Sequence, residues 1–178
     1  MTIANPNPQA VTASVTYMTE GGPRKRPDLN LPPMSQTFIN PREDLGAADF
    51  STLVEAHGGK TIAVDRRMIW TGEGASSPDG HASVGVTSPA KTWYLPEGSA
   101  SWGFECWLLI QNPNAEQATC EITYMVENVG PRTVERTVPA NSRRTFNTGE
   151  DLSDIEVKDA SIKVESDLPV IPERAMYR

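Results

Sequence analysis

The sequence is poor in the residues from which metal and catalytic sites are usually built. It holds two histidines and two cysteines among 178 residues, and both histidines, His57 and His81, stand beside glycine. It contains neither a G-x-S-x-G nucleophile motif nor a glycine-rich phosphate-binding loop. A zinc-type site normally needs three or four His, Cys or acidic ligands. We therefore predict a protein with no metal, no cofactor and no catalytic centre.

Long hydrophobic runs and an excess of positive charge are also missing. No apolar stretch approaches the ~18 residues of a membrane-spanning helix. The chain carries 23 acidic and 16 basic side chains, a net charge of −7, so neither nucleic acid nor an anionic membrane is predicted as a partner. The first residues lack the basic segment and apolar core of a signal peptide. We expect the chain to be a processed piece of a longer protein.

One phrase of sixteen residues occurs twice. The segment Asn5–Glu20 reads NPNPQAVTASVTYMTE, and Asn112–Glu127 reads NPNAEQATCEITYMVE. Eight of the sixteen positions are identical, where unrelated segments would share roughly one. Further matches follow at spacings between 107 and 110 residues. The stretches 3–70 and 110–177 are therefore interpreted as two copies of one structural module.

Short alternating segments separated by turn residues dominate both copies. Fifteen prolines and thirteen glycines leave no room for long helices. In the second copy Ala118, Cys120, Ile122 and Tyr124 alternate with polar residues, and the first copy alternates in phase. A period of two with one apolar face is typical of a half-buried strand. We predict an all-β protein of two similar immunoglobulin-like β-sandwich modules, 1–88 and 89–178.

The two copies have uneven ends. A predicted strand at Phe104–Ile110 precedes the NPN turn of the second copy, whereas the first copy has only Met1-Thr2-Ile3 at that place. Another predicted strand, within His81–Val86, follows the first copy, whereas the second ends at Arg178. We therefore predict that the first module lacks its leading strand and the second its trailing strand. Three interpretations follow: a fragment of a longer array, one continuous sheet, or strand addition between molecules that gives a head-to-tail filament.

Each copy also carries the signal of a helix of one turn. Asn40 and Asn147 can cap such a helix, and acidic pairs follow three residues later, where they face the positive helix end. A calcium site is the alternative, although no regularly spaced ligand loop is present. The acidic pairs are Glu43-Asp44 and Glu150-Asp151.

The two cysteines lie on opposite sides of the Asn112 turn. Each belongs to the alternate positions of its strand that carry apolar residues. A hairpin between Phe104–Ile110 and Ala118–Met125 would bring Cys106 and Cys120 face to face. We predict a disulfide between them, with two buried reduced thiols as the alternative. A disulfide would indicate an oxidising compartment.

Aromatic side chains cluster between residues 93 and 107. Core packing explains such a cluster, since each large ring buries much apolar area. The alternative is a carbohydrate-binding surface on which exposed rings stack on sugars. Its candidate residues are Trp93, Tyr94 and Trp102.

Several phrases together resemble a tandem module of long secreted bacterial surface proteins. They are TWYLPEG, GFECWLLIQNPN, ITYM, VPANSR, VESDLPVIPERAMYR and GHASVGV. The resemblance implies an extracellular β-sandwich repeat with no catalytic residues. The leading prediction is a non-enzymatic structural or adhesive building block of a cell-surface stalk or filament, which associates with itself or with neighbouring repeats. The alternative is a carbohydrate-binding module that binds a surface glycan.

Overall fold

A computed structural model describes residues 1–72 and 76–178. These residues form fourteen strands, two short α-helices and one 3-10 turn, so the protein is all-β, as predicted. The chain divides into two compact units, one comprising 1–17 and 24–87, the other 18–23 and 88–178. The predicted boundary after residue 88 lies one residue from the division between Thr87 and Ser88. No helix among the described residues is long and apolar enough to cross a membrane.

The first half of the chain forms two sheets. One has the order β5-β1-β7-β8, and the other has β2 between β6 on one side and β3 and β4 on the other. The elements are β1 (Thr2–Asn5), β2 (Val11–Thr19), β3 (Gly22–Lys25), β4 (Leu29–Leu31), β5 (Ser35–Phe38), α1 (Pro41–Leu45), β6 (Phe50–Ala56), a 3-10 turn (His57–Gly59), β7 (Ala63–Trp70) and β8 (Asp79–Val84).

Both sheets of the first unit contribute to one core. Ile3 comes from β1, Val11 and Val15 from β2 and Leu31 from β4, and all four are fully or almost fully buried. Alternation along β2 places Val11 and Val15 on one face, as the sequence pattern predicted. The arrangement is a small β-sandwich.

The second half repeats this architecture but differs in how some strands are divided and in its edge strands. Its elements are β9 (Ala90–Leu95), β10 (Glu105–Asn112), β11 (Ala118–Val126), β12 (Gly130–Val138), β13 (Ser142–Asn147), α2 (Thr148–Asp151) and β14 (Ala160–Tyr177). The first part of β14 pairs with β11 and β9, and its last part pairs with β10. In the first copy β6 and β7 are separate strands with the 3-10 turn between them. One strand of 18 residues therefore replaces two strands.

The predicted hairpin at the Asn112 turn is not formed. Strand β10 lies between β13 and β14, whereas β11 lies between β12 and β14. The turn thus carries the chain from one sheet of the sandwich to the other instead of joining neighbouring strands. The prediction was wrong because a short loop between two alternating segments is equally compatible with either connection.

The leading strand of the first module is present, contrary to prediction. Strand β1 pairs with β5 on one side and β7 on the other, as β10 pairs with β13 and β14. It has four residues, whereas β10 has eight. The prediction failed because three residues before Ala4 suffice to begin the ladder, with Thr2 already paired to Phe38 and Asp65.

Candidate functional site

The asparagine that opens the repeated phrase is the centre of a buried polar cluster. Asn112 is fully buried, and its Nδ2 donates to the carbonyl oxygens of Glu116 at 2.8 Å, Val138 at 3.0 Å and Pro139 at 3.1 Å. Its Oδ1 accepts from the backbone N–H and the Nδ2 of Asn114, at 3.0 and 2.7 Å. A single side chain thus satisfies backbone groups that would otherwise be buried without partners.

The first copy repeats this cluster almost atom for atom. Asn5 is 1% exposed and donates through Nδ2 to the carbonyls of Gln9, Leu31 and Pro32, at 2.9 to 3.1 Å. Its Oδ1 accepts from the backbone N–H and the Nδ2 of Asn7. The repeated NPN segment therefore has a structural role in both copies, where it holds the turn between the two sheets.

A second repeated cluster joins the sheet to the short helix. In the second unit the Tyr124 hydroxyl donates to Asp151 Oδ2 at 2.7 Å, and Arg136 forms an ion pair with the same carboxylate. Burial, followed by the hydrogen bond to Asp151, raises the pKa of Tyr124 above its ordinary value. The Asp151 carboxylate therefore accepts from a neutral donor, the tyrosine hydroxyl, and from a cationic donor, the guanidinium of Arg136.

The first unit builds the same cluster with an arginine from a different position. Tyr17 donates to Asp44 Oδ2 at 2.5 Å, and Arg26 Nη1 lies 3.1 Å from that oxygen. Burial and then the hydrogen bond to Asp44 raise the pKa of Tyr17 to about 12. Arg26 lies three residues after Pro23, whereas its counterpart in the second unit lies five residues after the matching proline. Different arginines therefore neutralise equivalent carboxylates.

The helix caps are confirmed, and the acidic pairs have divided roles. Asn40 and Asn147 accept through Oδ1 from Arg42 N at 3.2 Å and Gly149 N at 2.8 Å. The aspartates of the pairs, in contrast, receive the tyrosine and arginine donors described above. Asp44 Oδ2 and both oxygens of Asp151 are thus already engaged within the chain, which argues against the calcium alternative.

The predicted disulfide is absent. Cys106 and Cys120 are both free and fully buried. Cys106 is paired with Met176 and Cys120 with Ser166, ten residues apart on β14. Cys106 lies near Ile162, since both approach Gly98, and Ile162 is four residues from Ser166, the partner of Cys120. Four residues of extended strand span roughly 13 Å, beyond the ~7 Å between Cα atoms that a disulfide allows. The apolar parity of each cysteine correctly predicted burial, but the hairpin that would have joined them does not exist.

We expect both thiols to be unreactive in the folded protein and both to be available after unfolding. Burial raises the pKa of Cys106 and of Cys120, so little thiolate forms near neutral pH. Mass spectrometry after alkylation without reductant should show two modified thiols in denaturant and none under native conditions. A prior reduction step should leave the count unchanged. A loss of two hydrogens relative to the reduced chain would contradict the structure.

The three predicted sugar-stacking residues do not form one platform. Trp93 faces the core, and its Nε1 donates to the carbonyls of Ala90 at 3.0 Å and Val170 at 2.8 Å. Its neighbour Tyr94 points to the opposite face of β9 and is 66% exposed. Trp102 lies in the turn before β10, is 61% exposed and has a positive φ of 55°. Only Tyr94 and Trp102 therefore remain available for the predicted glycan contact.

The sheet edges differ between the two units. Strand β8 covers the outer edge of β7, whereas the corresponding edge of β14, beyond Val170, has no strand beside it among the described residues. Conversely, β9 covers the first part of β14, whereas the corresponding edge of β6 is without a neighbour in the described ranges. A strand like β8 would therefore fit the open edge of β14, and a strand like β9 would fit the open edge of β6.

Comparison with known proteins gives structural likenesses. The chain is similar to Anabaena sensory rhodopsin transducer, with 18% sequence identity and a TM-score of 0.44, over 51% of this chain and 90% of that chain. No protein-family model matches the sequence. No curated protein matches it either.

Proposed function

We propose that the chain is a non-catalytic structural building block that joins neighbouring copies or repeats by adding strands to open sheet edges. The supporting observation is that equivalent sheet edges differ between the two units. Strand β9 pairs with the edge of β14, whereas the equivalent edge of β6 is open among the described residues. An open edge presents backbone N–H and C=O groups in the spacing that a further strand requires. Strand addition supplies affinity through the ladder and specificity through alternate side chains.

The edge of β6 is the more receptive of the two. Its sequence, FSTLVEA, has neither proline nor lysine, the residues that commonly protect an edge strand. The open part of β14 contains Pro172, which has no N–H to donate. Strand addition is therefore assigned first to Phe50–Ala56.

The proposed setting is the cell surface, in a stalk or filament. This setting is supported by the resemblance of the sequence phrases to secreted repeat modules. The two free thiols supply no argument for an oxidising compartment, because each is isolated in its own part of the core. A carbohydrate-binding role has weaker support, since Trp93 is engaged in the core.

We expect a peptide with the β9 sequence, residues 88–96, to bind the open edge of β6. In the second unit this segment pairs antiparallel with Ile162–Glu165, the counterpart of the β6 edge. Binding of a fluorescent peptide, measured by anisotropy, should saturate, and a scrambled peptide of identical composition should bind at least ~10-fold more weakly, since its alternate side chains no longer match the edge.

Two proline variants locate the binding edge. Thr52 and Leu53 are neighbours on β6, so their N–H groups point to opposite edges. One of Thr52→Pro and Leu53→Pro should abolish peptide binding while the chain stays folded, and the other should chiefly reduce stability by breaking the ladder to β2. Equal binding of the native and scrambled peptides, or a folded chain that stays monomeric at the highest attainable concentration and takes up no peptide, would refute the proposed function.

A further inference from the structure

The outer face of the sheet β5-β1-β7-β8 carries a row of side chains that point away from the core. Thr2 pairs with Phe38 on one side and Asp65 on the other, and Asp65 pairs with Val84. Directly opposed residues in antiparallel strands share a face. Ile3, the next residue after Thr2, points to the other face of the sheet and is fully buried, so the row that contains Thr2 faces outward.

Large apolar side chains on this face are exposed. Phe38 is 66% exposed, Ile69 58% and Val84 79%. Ile69 belongs to the same face because it lies four residues after Asp65 on β7. The four strands are four to eight residues long, and at ~4.8 Å between strands they give a face of roughly 350 Å², polar and apolar residues together. Exposed apolar side chains that lie together on one face often mark an interaction site.

Two opposite charges lie at the centre of the face. Asp65 and Arg67 are both exposed, and as residues i and i+2 of β7 they point to the same side of the sheet. Neither belongs to an ion pair within the described ranges. Successive side chains on one face of a strand are roughly 6.6 Å apart, so the two charges form a short dipole along β7.

We propose that this outer face binds the same face of a second copy of the chain. A two-fold axis in the plane between the two sheets, crossing β7 midway between Asp65 and Arg67, places each carboxylate opposite the guanidinium of the other copy. Two-fold interfaces require this kind of self-complementary surface. The same operation covers Phe38, Ile69 and Val84 of both copies. The small area fits a weak dimer that forms at high concentration rather than a permanent one.

The second unit offers an internal comparison. The positions that correspond to Asp65, Arg67 and Ile69 at a spacing of 108 are Glu173, Ala175 and Tyr177. The cation of the central pair is therefore missing, and the self-complementary arrangement belongs to the first unit alone. The proposed contact uses a sheet face, so it is independent of strand addition at the β6 edge.

A charge-exchange experiment tests the proposal. Asp65→Lys leaves two cations at the centre of the face, and Arg67→Glu leaves two anions. Each variant alone should dimerise at least ~10-fold more weakly than the native chain, because like charges then meet across the axis. An equimolar mixture of the two should recover association, since every contact in the mixed dimer again joins opposite charges. Sedimentation velocity over a concentration series at low salt measures both effects.

Control variants distinguish this contact from a general effect of net charge. Asp49→Lys makes the same change of charge at an exposed position outside the sheet and should dimerise like the native chain. Phe38→Glu should weaken dimerisation without a change in circular dichroism. Single variants that associate like the native chain, a mixture that fails to recover, or a native chain that is monomeric throughout the series would overturn the proposal. The Asp65, Arg67 and Phe38 variants lie outside β6 and should leave peptide binding at its edge unchanged, so the two proposals fail separately.

Discussion

Replacement of Asn112 by aspartate is expected to lower the free energy of unfolding by about 4 kcal/mol or more. The native amide donates to three backbone carbonyls, those of Glu116, Val138 and Pro139, in a fully buried position. A carboxylate would present an acceptor to all three, and each buried carbonyl left without its donor costs about 1–3 kcal/mol. Urea denaturation followed by circular dichroism measures the change.

The duplication supplies a matched pair for this experiment. Asn5→Asp should destabilise the first unit by a similar amount, because Asn5 makes the same set of contacts. Asn128→Asp is the control: the residue is exposed in a turn with φ of 58°, a conformation that aspartate tolerates, and should change stability by less than ~0.5 kcal/mol. A cost below about 1 kcal/mol at Asn112 would show that the amide cluster does not hold the inter-sheet turn.

The folded protein is expected to lose stability as the pH rises above 10. The pKa of Tyr17 is raised from 10.0 to about 12, and that of Tyr124 is raised in the same direction. Below pH 10 both tyrosines are neutral whether the chain is folded or unfolded, so their contribution is fully present. Between pH 10 and 12 the unfolded chain loses these protons while the folded chain retains them, and stability falls by up to about 1.4 kcal/mol per pH unit for each tyrosine.

Phenylalanine variants isolate this effect. Tyr17→Phe and Tyr124→Phe should each reduce by one the difference in bound protons between the folded and unfolded chain. The free energy of unfolding should then fall less steeply above pH 10. Each should cost about 1–2 kcal/mol at neutral pH, because the hydrogen bond to Asp44 or Asp151 is lost. Tyr94→Phe makes the same change at an exposed side chain and is the matched control. Denaturation at a series of pH values gives the slopes, and an unchanged slope in the double variant would show that these two tyrosines do not cause the decline.

The sequence alone predicted the repeat, the fold class and most strands, for identifiable reasons. Alternation along Val11–Tyr17 and Ala118–Tyr124 depends on local side-chain direction, which a single sequence records. The helix caps at Asn40 and Asn147 are equally local. Which strands are neighbours is not local, and for that reason the hairpin at Asn112 and the disulfide that depended on it were wrong.

The tyrosine–aspartate clusters were missed although the sequence contains a signal for them. Tyr17 and Asp44 lie 27 residues apart, and Tyr124 and Asp151 have the same separation. A polar pair retained at one separation in both copies indicates a contact or a shared role. The arginines gave no such signal, because Arg26 and Arg136 occupy unmatched positions. Only the three-dimensional structure shows that the two arginines pair with equivalent carboxylates, Asp44 and Asp151.

The continuous strand β14 has a consequence for how the second unit comes apart. Its first part belongs to the ladder with β11 and its last part to the ladder with β10, without a break in the strand. We expect a force applied at Tyr177 to act on both ladders of β14, so that the ladder with β10 cannot separate without force also reaching the ladder with β11. In the first copy the His57–Gly59 turn interrupts this path and acts as a joint between β6 and β7. Under tension along the chain, we expect the first unit to yield in stages and the second to open as a whole.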